Sequence, residues 1–139
     1  MTDIRELLPH RPPMLLLKEL IQVDAATIQC VPDTSATSIF AEKEHLDIIV
    51  SLEWMAQAVG AFVGSARIRE GRTPQIGFVI GSRRIDYHVD RVDLNAQLIV
   101  HAAPLWLEKN SGSFQCSVTR QDCGMVLAEG NLTVYEPEL

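Results

Sequence analysis

The longest apolar pattern in the chain falls at 51–68, "SLEWMAQAVGAFVGSARI". Its apolar residues, Leu52, Trp54, Met55, Val59, Phe62 and Val63 among them, do not gather on one stripe but run nearly all round a helix. A helix that is apolar on every face is one buried on every face. Gly60 and Gly64 each lower helix propensity by ~1 kcal/mol relative to Ala, which close packing against a neighbour offsets. Ser51 is the expected N-cap, with Glu53 in the first turn, where a negative charge suits the helix dipole. Glu70-Gly71-Arg72-Thr73-Pro74 supplies the stop. Around this helix the pattern changes to strands. Asp3–Leu8 predicts a short helical turn capped by Thr2 or Asp3 and stopped at Pro9. Met14–Val31 predicts two strands with a turn at Asp24-Ala25, and the polar stretch Asp33–Lys43 predicts a loop. Gln75–Tyr87 predicts one strand. Ala96–Trp106 predicts another, with Pro104 marking an edge or a bulge. Ser113–Gln121 and Met125–Tyr135 predict a hairpin around Asp122-Cys123-Gly124.

One helix this greasy cannot lie on the outside of a long antiparallel sheet. The economical solution curls the sheet around it, so the expected fold is α+β of the hot-dog kind, as a single domain over 1–139. With 139 residues, 47% of them apolar, the chain is large enough for a real core. A net charge of −6 and a pI near 5.1 argue against a nucleic-acid binder. Arginines are nonetheless concentrated at Arg67, Arg69, Arg72, Arg83 and Arg84, a candidate local basic face. Cys30, Cys116 and Cys123 show neither a CxxC nor a zinc spacing and are expected to be reduced, buried and inert. The four histidines and the acids show no HxxxH or HExxH pattern, so no metal and no organic cofactor is expected. Neither a leader nor an apolar run of the ~20 residues that spans a bilayer is visible, which predicts a cytoplasmic protein without a membrane partner.

Two short segments then narrow the reading. Leu8-Pro9-His10-Arg11 before the first strand, and Glu53-Trp54-Met55-Ala56-Gln57 at the start of the central helix, resemble the bacterial (3R)-hydroxyacyl-acyl-carrier-protein dehydratases. "GSRRIDYHVDRVDLNAQLIV" is similar to that family's basic-aromatic strand, loop and following strand. One departure stands out. The family carries a catalytic His in a Gly-His-Phe-Pro loop about fourteen residues before the helix Glu; here that count lands on Ile39, and the loop reads "SIFAEKEHLDII". The altered loop resembles a divergent dehydratase branch associated with polyene-type biosynthetic clusters.

The resemblance implies removal of water from a 3-hydroxyacyl thioester, giving the trans-2-enoyl thioester. The thioester carrier would be acyl carrier protein or coenzyme A. It implies Glu53 as the acid that protonates the leaving hydroxyl, and a substrate channel bordered by Pro9, Gln57 and Phe78. It also implies a homodimer or higher assembly, or a hetero-oligomer with another hot-dog subunit, with acid and base drawn from different protomers. An exposed sheet edge is a separate reason to expect association. For the base, His10 is preferred and His45 comes second; a third reading leaves no histidine in place, making the chain a non-catalytic acyl-binding subunit active only with a partner dehydratase. An acyl thioesterase of the same fold remains a further alternative. An apolar surround would raise the proton affinity of Glu53, and the helix N-terminus would lower it. Gln57, one turn on, either orients that carboxylate or pairs with backbone.

Overall fold

The protein is described by a computed structural model covering residues 3–72 and 78–135, with the side chains of 78–80 left aside. The chain runs α1 (Ile4–Leu7), β1 (Leu17–Val23), β2 (Ile28–Pro32), α2 (Thr34–Thr37), a 3-10 turn (Ser38–Phe40) and β3 (His45–Asp47). It continues through the long α3 (Val50–Arg69), then β4 (Phe78–Gly81), β5 (Ile85–Tyr87), β6 (Arg91–Asp93), β7 (Leu98–Leu107), β8 (Ser111–Arg120) and β9 (Val126–Tyr135). The main sheet is antiparallel in the order β1-β2-β7-β8-β9-β4, with β5 also paired to β9; β3 and β6 form a separate two-stranded sheet.

One face of this sheet and α3 share a single core. Alternate residues of the strands, Ile28 and Cys30, Leu98, Val100 and Ala102, Phe114, Cys116 and Val118, are buried, as period-2 side-chain direction requires. They meet Trp54, Met55, Ala58, Val59, Ala61 and Phe62 of α3. Phe62 and Phe114 pack edge to face at 5.5 Å between ring centres. The hot-dog expectation therefore holds, and so does the use of the small residues. A methyl group at Gly64 would overlap the backbone carbonyl of Leu7, and one at Gly60 would lie 3.1 Å from Cδ2 of Leu8. The end of α1 and Leu8 after it thus lie directly on the backbone of α3.

Several local features differ from the sequence expectation. Ser51 is not the N-cap of α3: the helix begins one residue earlier, Ile49 occupies the cap, and the Ser51 hydroxyl is buried within the helix. No side chain caps α3; Asp47 accepts the N–H of Ile49, just ahead of the helix, at 2.9 Å. The stretch expected as a loop after Asp33 is largely helical, because the Asp33 side chain accepts the Ala36 N–H and caps α2. Gln75–Tyr87 is not one strand. Its described part forms β4 and β5, which pair in turn with β9. The helix is not sealed on every side either: Leu52, Ala56, Gly60, Val63 and Ala66 are half-buried and Glu53 is exposed. The Pro104 expectation holds as a register shift between Pro104 and Trp106. Asp24 forms its turn by accepting the Ala26 and Thr27 N–H groups.

Candidate active site

The site is built on the first turns of α3 and on the segment that crosses them. Glu53 stands in the first turn of α3. Gln57 follows one turn later on the same face and is 1% exposed. Its Oε1 accepts the Leu16 N–H at 2.9 Å, while its Nε2 donates to the Met14 carbonyl at 2.8 Å and to Oε1 of Glu53 at 3.0 Å. The sequence left Gln57 two roles, orienting the carboxylate or pairing with backbone. The structure gives it both.

His10 lies between the two places where the N-terminal segment is fastened to α3: Leu7 and Leu8 over Gly64 and Gly60, and Met14 and Leu16 on Gln57. Arg11 closes the loop locally, donating to the carbonyls of Leu8 at 2.8 Å and His10 at 2.7 Å. Its role as a clamp was not anticipated, although it ends the Leu-Pro-His-Arg segment. Half-buried His10 has a buried Nδ1 with no hydrogen-bond partner among the described residues.

Of the other three imidazoles, those of His88 and His101 are hydrogen-bonded, while Nδ1 of His45, like that of His10, is buried without a hydrogen bond among the described residues. His45 places Nδ1 2.9 Å from Oδ1 of Asp93, across the β3–β6 pair. His88 is 2.8 Å from Glu129, and His101 is 2.7 Å from the Thr27 hydroxyl. Pro9 is exposed beside His10. Phe78 opens β4, and its side chain lies outside the described residues.

The remodelled loop is held down from below. The buried indole of Trp54 donates to Oγ1 of Thr37 at 3.1 Å, and that hydroxyl donates to the Asp33 carbonyl at 2.6 Å. Ile39 and Phe40, where the family count would put a histidine, are exposed. Glu53 is exposed as well, so the apolar surround expected for it is not supplied by its own chain. Beyond it the half-buried stripe of Leu52, Ala56, Gly60, Val63 and Ala66 runs down α3 toward a cavity of about 370 Å³ bounded by Phe62, Val63, Ala66, Phe114 and Val134.

Among the described residues no three His, Cys, Asp or Glu come together as a metal site requires. No helix among them is long and apolar enough to cross a membrane. Of the arginine group, Arg67 is buried while Arg69, Arg72, Arg83 and Arg84 are exposed; Arg72 pairs with Glu70 and Arg84 with Asp86. Burial pushes the thiols of Cys30 and Cys116 up to about 12, which keeps them inert. Cys123 departs from the expectation and is exposed in the β8–β9 turn.

A family model described as ApeP-like, ApeP dehydratase, matches residues 2–139. The chain belongs to this dehydratase family. A strongly similar solved structure is the dehydratase heterocomplex ApeI:P from Xenorhabdus doucetiae. That likeness has 26% identity and a TM-score of 0.92, and it covers 99% of this chain and 93% of the other. More distant likenesses share the fold alone. One is a hypothetical thioesterase with coenzyme A from Streptococcus pneumoniae, at 14% identity and TM-score 0.65, covering 84% of this chain and 83% of the other. Another is zebra fish thioesterase superfamily member 2, at 12% and 0.68, covering 94% and 88%. No curated protein matches the sequence. The ApeP-like dehydratase thus carries the two segments that suggested a dehydratase, in a fold that thioesterases also use.

Proposed function

We propose that this ApeP-like chain dehydrates a carrier-bound 3-hydroxyacyl thioester to the trans-2-enoyl thioester, working as one subunit of an assembly with a second hot-dog chain. Glu53 is the acid that protonates the departing hydroxyl, and His10 is the base that takes the proton alpha to the thioester carbonyl. The observation that carries this reading is the orphaned Nδ1 of His10. His88 and His101 are hydrogen-bonded and the orphaned Nδ1 of His45 at least lies 2.9 Å from the Asp93 carboxylate, whereas His10 lies on the segment bound to the helix that presents Glu53. A buried nitrogen without a partner costs on the order of 1–3 kcal/mol, a cost more readily tolerated at a working site than in a scaffold.

Two further features support the reading. Glu53 faces outward from its own chain, as a group completed by a second subunit does, and the similar ApeI:P structure is a heterocomplex. The half-buried stripe of α3 offers an apolar bed for the acyl chain, beginning beside the acid. Exposed Arg69, Arg72, Arg83 and Arg84 are the cations available to an acidic carrier protein.

The test supplies 3-hydroxyacyl and saturated acyl thioesters to the chain alone and to the chain mixed with a partner hot-dog subunit. Enoyl absorbance that appears with the first substrate and disappears in Glu53→Gln is the expected result. Thiol release from the saturated substrate without enoyl formation assigns a thioesterase instead. Undiminished dehydration by Glu53→Gln removes the acid from Glu53.

A further inference from the structure

We infer that Gln57 is a positioning residue that reserves one oxygen of Glu53, Oε2, to carry the proton. The inference rests on the proposed role of Glu53 as acid. The orientation of the Gln57 amide is fixed by its surroundings. The Leu16 N–H needs an acceptor, so the atom facing it at 2.9 Å is the amide oxygen. The nitrogen therefore faces the other way. It has two hydrogens and no acceptor capacity, and both hydrogens are spoken for: one goes to the Met14 carbonyl, the other to Oε1 of Glu53. A protonated Oε1 would accept that N–H more weakly than an unprotonated oxygen does, so the Gln57 donor biases the proton toward Oε2. When Glu53 is protonated, the proton sits on Oε2. Among the described residues Oε2 receives no hydrogen bond, and Glu53 is an exposed residue.

This arrangement gives the elimination a direction. The Oε2–H bond breaks and its proton passes to the substrate hydroxyl. The substrate C–O bond breaks with its electron pair, and water leaves. The alpha C–H pair becomes the second bond of the alkene as the base takes that proton. The new carboxylate keeps the Gln57 N–H on Oε1, a bond that strengthens as charge develops there. Because the same amide also grips Met14 and Leu16, the acid is held in register with the segment that carries His10.

Gln57→Glu in the assembled protein is the decisive substitution. It keeps an acceptor for the Leu16 N–H and replaces the donor by a second carboxyl, which then titrates with Glu53 as a pair. The expected result is a kcat at least ~10-fold lower with KM little changed. The alkaline limb of the kcat–pH profile, set by loss of the acid's proton, moves up by about one unit. A second carboxyl beside Glu53 moves that limb by its charge alone, so a shift shows that the two side chains are coupled, and the position of the deuteron described below assigns the proton to Oε2. A folded variant with the original profile overturns the inference. Whether or not the variant folds, neutron diffraction of the unsubstituted assembly at acid pH decides: a deuteron on Oε2 with the Gln57 amide directed at Oε1 supports it, and a deuteron on Oε1 or on neither oxygen overturns it. The two proposals fail separately. A fully active Glu53→Gln defeats the acid assignment, whereas an inactive Glu53→Gln beside an unaltered Gln57→Glu profile defeats this inference alone.

Discussion

The indole N–H of Trp54, wholly buried in α3, ends on the hydroxyl of Thr37, which in turn hands its hydrogen to the Asp33 carbonyl. This relay joins the central helix to the segment where the related dehydratases carry their histidine loop. Thr37→Val keeps the shape but leaves the indole N–H buried without an acceptor, which costs about 1–3 kcal/mol. Urea denaturation at neutral pH measures the loss; an unchanged midpoint shows that the relay is not holding the loop.

His10 and His45 are separable by substitution. His10→Ala is expected to lower kcat by about 10²–10⁴ while leaving the melting temperature within a few degrees. His45→Ala breaks a half-exposed contact with Asp93 and leaves turnover within a small factor. The reverse pattern assigns the base to the β3 strand.

A bulky ring on the stripe tests the acyl path. Val63→Trp stands ten residues from Glu53, about 15 Å along the helix. Short 3-hydroxyacyl thioesters should turn over as before, and long ones should lose about 10-fold or more in kcat/KM. Equal effects on short and long substrates place the chain elsewhere.

Gly64→Ala gains ~1 kcal/mol of helix propensity yet drives a methyl into the Leu7 carbonyl. Overpacking of this kind costs about 1–3 kcal/mol, so the net change is destabilising. Thermal melting checks the sign. A more stable Gly64→Ala shows that the segment moves away freely.

The thiols give a pH prediction. Cys30 and Cys116 are raised from 9.0 to about 12 in the folded protein, so they bind their protons more tightly folded than unfolded. Their contribution to stability is complete below about pH 9 and is lost as pH climbs from there toward 12. At pH 8 an alkylating reagent should modify Cys123 quickly and the other two only after denaturation. Mass spectrometry of the native protein reads this directly.

The fold was largely legible because its strongest signal, a helix apolar on nearly every side, has few architectural solutions. Where reading fell short, the cause was a contact outside the local pattern. Ser51 looked like a cap because it precedes the acid, but the helix starts at Val50 and takes Ser51 into its first turn. The Asp33 segment looked like a loop because it is polar; the cap on Ala36 and the buried pairing of Thr37 with Trp54 made it helical. The division of Gln75–Tyr87 depends on how β9 distributes its pairing, which no short window records. At the site, the acid and Gln57 were readable as a one-turn pair on a helix. The exposure of Glu53 was not, because a greasy neighbourhood in sequence says nothing about which face the chain leaves open.

The segment from Leu7 to Leu16 is pinned at both ends, on Gly64 and Gly60 at one and on Gln57 at the other. Its length is thus metered against the pitch of the helix. Any slack introduced between the pins has nowhere to go except the bend at His10–Pro13. One added residue would swing the imidazole out of place while both fastenings stayed intact. Adjusting the spacing between those pins is a way to tune this enzyme without touching its helix.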